Sequence, residues 1–122
     1  MRFMMMVKTP EGAPPRPELY AAMDKLVQEM TAAGILIETG GLSPSATGAR
    51  VRAAGAKVTV TDGPFTEAKE VIGGFGILEL PSRAAAIDHG RRFMQLHVDI
   101  LGPSFEGECE IRQMEGPPPA NS

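Results

Sequence analysis

The sequence contains no tryptophan and only one cysteine, and it lacks any long run of apolar residues. Because Cys109 has no second cysteine to pair with, an internal disulfide is excluded and a reducing compartment is favoured. The apolar run at the start ends at Lys8, so it is too short for a signal peptide core or a membrane span. These absences predict a cytoplasmic protein with no membrane partner.

The chain also has no excess of basic residues over acidic ones. The 122 residues carry a net charge of −3, which gives no cationic footprint for a nucleic acid partner. Apolar residues make up 43% of the chain, enough to form a core in a single domain. We expect that domain to span residues 1–115. A proline-rich tail over residues 116–122 lacks core-forming side chains and is expected to be mobile.

Apolar periodicity predicts two helices among short strands. Glu18–Ala33 repeats apolar residues at steps of three and four, which places them on one helix face. A second helix is predicted from Arg83 to about Leu96, with residues 97–107 irregular. Strands are predicted over residues 3–7, 35–39 and 108–114 and in a stretch ending at Leu80, with a hairpin over 49–53 and 57–61. This order predicts an α+β fold, a ferredoxin-like antiparallel sheet with two helices on one face.

Alternation within the strands makes both faces of this sheet apolar. Phe3 and Met5 point to one face, whereas Met4 and Met6 point to the other. Two helices cover one face only, and each apolar side chain left in water forgoes about 1.5–3 kcal/mol. We therefore expect a two-fold homodimer with the sheets packed face to face. The alternative is that the proline-rich loop or the tail folds over the second face.

The turn that begins at Asp62 is the first candidate site. An aspartate at the head of a turn accepts hydrogen bonds from amides one to three residues on, and Gly63 supplies backbone freedom, which favours a structural corner. Pro64 fixes the chain direction, with a cis bond as one option, and Phe65 is expected to anchor the turn in the core. The functional alternative presents Asp62 to a cavity as a general base.

Other polar residues are expected near the strand ends, around this turn. Arg50 and Arg52 share one strand face if their segment is extended, and arginine suits bidentate recognition of a carboxylate. We predict a small anionic ligand engaged by Asp62 and these arginines, with solvated surface charge as the alternative for each residue. The full set of predicted ligand-binding residues is Glu38, Arg50, Arg52, Gly63, Pro64, Phe65, Lys69 and Glu70.

The two histidines are weaker candidates for a functional site. His97, in the segment predicted to be irregular, is the weaker catalytic candidate beside Asp62, with polar surface as its alternative. His89, His97 and Cys109 do not have the spacing of zinc ligands, so we expect no metal. No motif in the sequence predicts a cofactor.

Four stretches together resemble one known family. They are Asp62-Gly63-Pro64-Phe65, the opening Arg2–Lys8, the segment Gly41–Ser45 and the late segment Gly107–Gln113. The first is similar to the DGPF motif of YCII-related (YciI-like) proteins. The resemblance extends over nearly the whole chain apart from the proline-rich loop and the tail, and it implies a dimeric α+β barrel.

The resemblance implies little about activity, because most of the family has no assigned function. Some relatives resemble lyases of muconate-type acids that use an early histidine paired with an aspartate, but this chain has no histidine before His89. Relatives with the DGPF motif are associated with sigma factors, which implies a regulatory partner. Three hypotheses stay open: a small-molecule binder or enzyme, a non-catalytic regulatory module, and a dimer whose turn is purely architectural.

Overall fold

The computed structural model describes residues 1–12 and 16–116. The predicted tail and the centre of the proline-rich loop lie largely outside these ranges. The elements in chain order are β1 (Arg2–Thr9), α1 (Pro17–Ala32), β2 (Leu36–Gly41), a 3₁₀ turn (Ser45–Thr47), β3 (Ala49–Ala54), β4 (Lys57–Asp62), β5 (Val71–Glu79), α2 (Arg83–Leu101) and β6 (Glu108–Gln113).

Four of the strands form the main antiparallel sheet, in the order β2-β5-β1-β6. With one helix after the first strand and one before the last, this is a ferredoxin-like α+β arrangement, and the predicted fold class is confirmed. Strands β3 and β4 pair only with each other and form a separate hairpin, inserted between β2 and β5. Gly55 and Ala56 at its tip both have positive φ, as a tight two-residue turn requires.

Local signals explain where the helices begin and end. Pro17 occupies the first turn of α1, and Gly34, just beyond its end, has φ 74°. Ser82 caps α2, because its Oγ accepts a hydrogen bond from the Ala85 amide at 3.1 Å. The prediction that residues 97–107 are irregular was wrong for 97–101, since α2 continues to Leu101, and is confirmed for 102–107. The helix ends at Gly102, which has φ 85° and is followed by Pro103.

The core lies between the helices and one face of the main sheet. Its buried members are Phe3, Met5, Leu78, Leu80 and Ala86. Gly90 of α2 lies so close to β6 that a Cβ there would be 2.8 Å from Cδ1 of Ile111. In the described part of the chain, neither helix has the length and hydropathy needed to cross a membrane.

The other face of the main sheet is apolar at its centre and carries no helix. We call it the open face; its central side chains are Met4, Met6, Phe75 and Ile77. Register places Met4 beside Ile77 and Met6 beside Phe75, and all four side chains remain partly exposed. The predicted two-sided apolar sheet is therefore present in the protomer.

Candidate functional site

The hairpin displays two chemically different faces. In its register Arg50 lies opposite Thr61 and Arg52 opposite Thr59, so these four side chains point the same way. Lys57 extends the same face toward the tip. We call this set of five residues the cationic face; all of them are exposed. The expectation that Arg50 and Arg52 share one strand face is confirmed.

The reverse side of the hairpin is apolar. Val51 lies opposite Val60, and Ala53 lies opposite Val58. We call this the valine face. Val51, Val58 and Val60 are 69%, 70% and 67% exposed, more than any other large apolar side chain among the described residues. A cluster of large apolar side chains this exposed is typical of an interaction surface.

Asp62 belongs to the valine face, because its partner in the register is Ala49. Within one protomer it therefore cannot engage a ligand together with Arg50 and Arg52, contrary to expectation. The expected local cap is also absent: no group in the described ranges donates a hydrogen bond to its carboxylate. The Phe65 amide donates instead to Oγ of Ser45, at 3.0 Å.

The turn after Asp62 packs against the preceding 3₁₀ turn. The Gly63 amide donates to the Gly48 carbonyl at 2.9 Å, and the bond between Gly63 and Pro64 is cis. A Cβ at Gly63 would lie 1.7 Å from the carbonyl oxygen of Ser45, closer than any two such atoms can approach. This close approach requires glycine, and it makes the corner a tightly packed structural element.

Phe65 connects this corner to the cationic face. The Arg50 guanidinium lies 3.9 Å from the centroid of the Phe65 ring and forms an ion pair with Glu67. The backbone amide of Glu67, and then the Arg50 guanidinium, hold the pKa of the Glu67 carboxyl below its usual value. Arg50 therefore contacts both an aromatic ring and a carboxylate. Arg52 forms no ion pair within residues 1–12 and 16–116, so its guanidinium is free for a ligand.

The remaining predicted site residues lie elsewhere. Glu38 pairs with Ile77 in the main sheet, and Lys69 forms an exposed ion pair with Glu106 at 3.6 Å. Glu70 is half-buried just before β5 and makes no ion pair within the described ranges. The structure brings none of these three residues into the cationic face.

His97 lies inside α2 and is buried, not in an irregular segment as predicted. Its Nδ1 is 2.9 Å from the Phe93 carbonyl oxygen, within hydrogen-bond distance. The ring lies between Phe93 and Phe105, with centroid distances of 4.7 Å and 5.3 Å. This packing favours a core role for His97 over catalysis.

Sequence reasoning missed a groove of about 520 Å³ between α2 and β6. Its lining residues include Gly90, Met94, Phe105, Cys109 and Ile111 but none of the predicted site residues. Burial raises the pKa of the Cys109 thiol, which makes that thiol a poor nucleophile. The spacing of Gly90 in α2 was the one available signal, because a glycine on the inner face brings the helix close to the sheet.

Charged pairs surround the apolar centre of the open face. Nζ of Lys8 lies 2.6 Å from Oε1 of Glu110, and Arg2 contacts Glu79 at 3.4 Å. The hydrogen bond between Lys8 and Glu110 raises the pKa of Lys8 and lowers that of Glu110. An apolar centre with a polar rim is the usual anatomy of a protein interface.

Acidic and sulfur side chains do not converge anywhere in the described ranges. No three side chains of His, Cys, Asp or Glu lie close enough together there to hold a metal ion.

The candidate site is the hairpin itself, with its cationic face, its valine face and the corner at its base.

A family model agrees with this architecture. The model of the YCII-related domain matches residues 1–93. The chain belongs to the YCII-related family. The matched YCII-related domain includes the whole hairpin, the corner that follows it and all of the main sheet except β6. No curated protein matches the chain.

Proposed function

We propose that this YCII-related protein binds a small anionic metabolite on its cationic face and that it acts as a homodimer. The observation that supports the ligand class is the guanidinium of Arg52, which forms no ion pair within the described residues and lies on the same face as Arg50. Arginine binds carboxylates through two parallel hydrogen bonds, and these bonds are stronger than neutral ones.

The spacing on the cationic face suits a small molecule with more than one oxygen. Alternate residues of a strand are about 6.6 Å apart, so the two guanidinium groups can hold the two ends of a short dicarboxylate. Thr59 lies directly opposite Arg52, so their Cβ atoms are about 4.5–5.5 Å apart. The Thr59 hydroxyl is therefore a further hydrogen-bond donor for the ligand. Arg50 needs no reordering, because Glu67 and Phe65 already hold it.

Binding fits this geometry better than catalysis. A general base must come within hydrogen-bond distance of the proton that it removes. Asp62 lies on the valine face, so it faces away from a ligand bound by Arg52 of the same protomer. His97 is enclosed by aromatic rings. In this proposal the cationic face selects and holds the ligand.

The homodimer is supported by the open face. Four side chains of the open face remain partly exposed in the protomer: Met4, Met6, Phe75 and Ile77. Covering each of them stabilises an assembly by up to about 1.5–3 kcal/mol. A second candidate function is an interaction module for a protein such as a sigma factor. The exposed valines favour it, because such a partner could cover them instead.

A thermal-shift screen with succinate, malate and citrate tests the ligand proposal, with chloride at equal ionic strength as the blank. We expect a rise of several degrees in the wild type, loss of that rise in Arg52→Gln, and its retention in Arg83→Gln. Arg83 is an exposed control at the start of α2. If no acid shifts the wild type, or if both variants respond like the wild type, the ligand proposal is wrong and the interaction module is favoured.

A further inference from the structure

The outer edge of β6 carries backbone groups that no strand bonds. β6 lies at the end of the main sheet and, among the described residues, pairs only with β1. The Met114 amide donates to the Arg2 carbonyl at 2.8 Å. In an antiparallel pair such bonded positions alternate with positions whose backbone groups point away from the partner strand. Three residues of β6 therefore direct their N–H and C=O groups outward: Cys109, Ile111 and Gln113.

The two edges of the main sheet differ in how well they are protected against a further strand. At the opposite edge, the register of β2 shifts between Leu36 and Glu38, and a bulge of this kind discourages strand addition. The register of β6 is unbroken. None of its three outward-pointing residues is a proline or carries a charge. The edge of β6 is thus a regular template for an added strand.

Helix α2 has an apolar stripe beside this edge. Ile87, Met94 and Val98 recur at steps of seven and four, so they share one side of the helix. They line the groove described above together with Cys109 and Ile111, whose side chains lie against α2. Val98 is 42% exposed. Directly opposite residues of neighbouring strands share a face, so an added strand would place side chains against this stripe.

Arg91 gives the groove its uncompensated charge. It is exposed, it lines the groove, and it forms no ion pair within residues 1–12 and 16–116. The two acidic residues of the lining are engaged elsewhere. Glu106 pairs with Lys69, and Glu108 lies opposite Lys8 in the register, with its side chain on the open face. An acidic group on the occupant of the groove would complement Arg91.

The occupant has to supply both backbone donors and a carboxylate. The chain's own tail lacks the donors, because residues 117–119 are prolines without N–H groups. A second copy paired edge to edge would bring a second α2 with the same Arg91 to this side, where like charges oppose association. An extended segment of another protein meets both requirements.

We propose that an extended segment of another protein binds along the edge of β6 as a further antiparallel strand. Its alternate apolar side chains lie against the stripe of α2, and a carboxylate among them binds Arg91. In this mode of recognition, backbone hydrogen bonds give affinity and alternate side chains give specificity. The surface is separate from the cationic face and the open face, so the proposal does not depend on the function proposed above.

Backbone methylation of a probe peptide tests the strand addition. The probe is fluorescein-labelled Thr-Val-Thr-Asp-Thr-Val-Thr, titrated with wild-type protein and followed by fluorescence anisotropy. In an antiparallel strand the residues that face α2 are also those that bond to β6. N-methylation of the valines and the aspartate should therefore abolish binding, whereas N-methylation of the threonines should change Kd less than about threefold. No binding below about 1 mM, or a loss that does not follow this alternation, overturns the proposal.

Substitutions test whether the probe binds at this edge. Gln113→Pro removes one outward N–H without breaking a hydrogen bond to β1, and it should weaken binding at least about fivefold. Gln113→Ala, which keeps the N–H, is the matched control. Arg91→Glu should weaken binding at least about tenfold and favour a probe with lysine in place of the aspartate, whereas Arg83→Glu should do neither.

Thermal melts of each variant establish that the fold is intact. Wild-type affinity in either Gln113→Pro or Arg91→Glu overturns the proposal. Dissociation of a wild-type oligomer by Gln113→Pro also overturns it, because that result would assign the edge of β6 to a second copy of the chain.

Discussion

Arg52 and Asp62 lie on opposite faces of one hairpin, because Arg52 pairs with Thr59 whereas Asp62 pairs with Ala49. The sequence suggested that the Asp62 carboxylate and the arginine guanidinium groups would engage one ligand, and the structure places them on opposite sides of the hairpin. A ligand held by the arginine is on the side away from the carboxylate of the same protomer. The carboxylate instead shares its side with the exposed valines.

The corner at the base of the hairpin should not tolerate a side chain at Gly63. Gly63→Ala would force its Cβ toward the Ser45 carbonyl oxygen, 1.7 Å away, and both groups belong to the backbone. We expect a loss of about 3 kcal/mol or more in the free energy of unfolding, measured by urea denaturation. Gly41→Ala is the control, because its Cβ would meet nothing within 4 Å and should change stability by less than about 0.5 kcal/mol. Equal stability of the two variants would contradict the packed corner.

The contact between α2 and β6 should appear as coupling between Gly90 and Ile111. Gly90→Ala gains about 1 kcal/mol of helix propensity but places its Cβ 2.8 Å from Cδ1 of Ile111. Overpacking of this kind costs about 1–3 kcal/mol, so the single variant should be less stable than the wild type. In an Ile111→Val background, which lacks Cδ1, Gly90→Ala should become neutral or stabilising. Additive effects in this double-mutant cycle would show that the two residues do not touch.

His97 should matter for stability and not for ligand binding. His97→Ala removes a buried ring between Phe93 and Phe105 and should lower the free energy of unfolding by about 2–4 kcal/mol. The thermal shift caused by the carboxylic acid that binds best should persist in this variant. His89→Ala, at a less buried helix position, should cost less. A stable His97→Ala protein that has lost the ligand response would restore His97 as a site residue.

The pair Lys8 and Glu110 should give the protein an acid-sensitive contribution. The pKa of Glu110 is lowered by Lys8, so its contribution is present above the unfolded value of about 4.3 and is lost as the pH falls through the folded pKa. The pKa of Lys8 is raised, so its contribution is lost only as the pH rises through that pKa. Glu110→Gln should therefore be slightly less stable than the wild type at pH 7, and this difference should shrink as the pH falls toward 3.

Urea denaturation at both pH values measures this difference, with Glu115→Gln as the control. Glu115 is exposed beyond the end of β6 and makes no ion pair within the described ranges. A stability gap that is equal at pH 7 and pH 3 would assign the effect of Glu110→Gln to packing and not to charge.

Local pattern was enough to predict the fold. The period-two alternation of β3 and β4 around Gly55 predicts the hairpin and its two faces, and the alternation of β1 predicts the two apolar sides of the sheet. Both are properties of neighbouring residues. The family resemblance implied the same α+β fold and assigned a function to no residue of this chain.

Competition between distant groups could not be predicted from the sequence. The amide of Phe65 had Asp62 as its local acceptor, but Ser45, twenty residues earlier, takes that hydrogen bond. There a partner remote in sequence outweighs the local preference. The error at His97 has another cause: the Gly102-Pro103 breaker suggested an irregular segment from His97 onward, whereas α2 continues to Leu101 and the His97 ring packs between Phe93 and Phe105.

The central claim is that a second copy of the chain covers the open face of the protomer. Light scattering on the wild-type protein, during size-exclusion chromatography at micromolar concentration, measures this directly. We predict a mass twice that of the protomer, falling toward the protomer mass in Met6→Lys, which puts a charge on the open face, and unchanged in Thr59→Lys, which puts the same charge on the exposed cationic face. A wild type that elutes with the mass of one chain at these concentrations would contradict the claim.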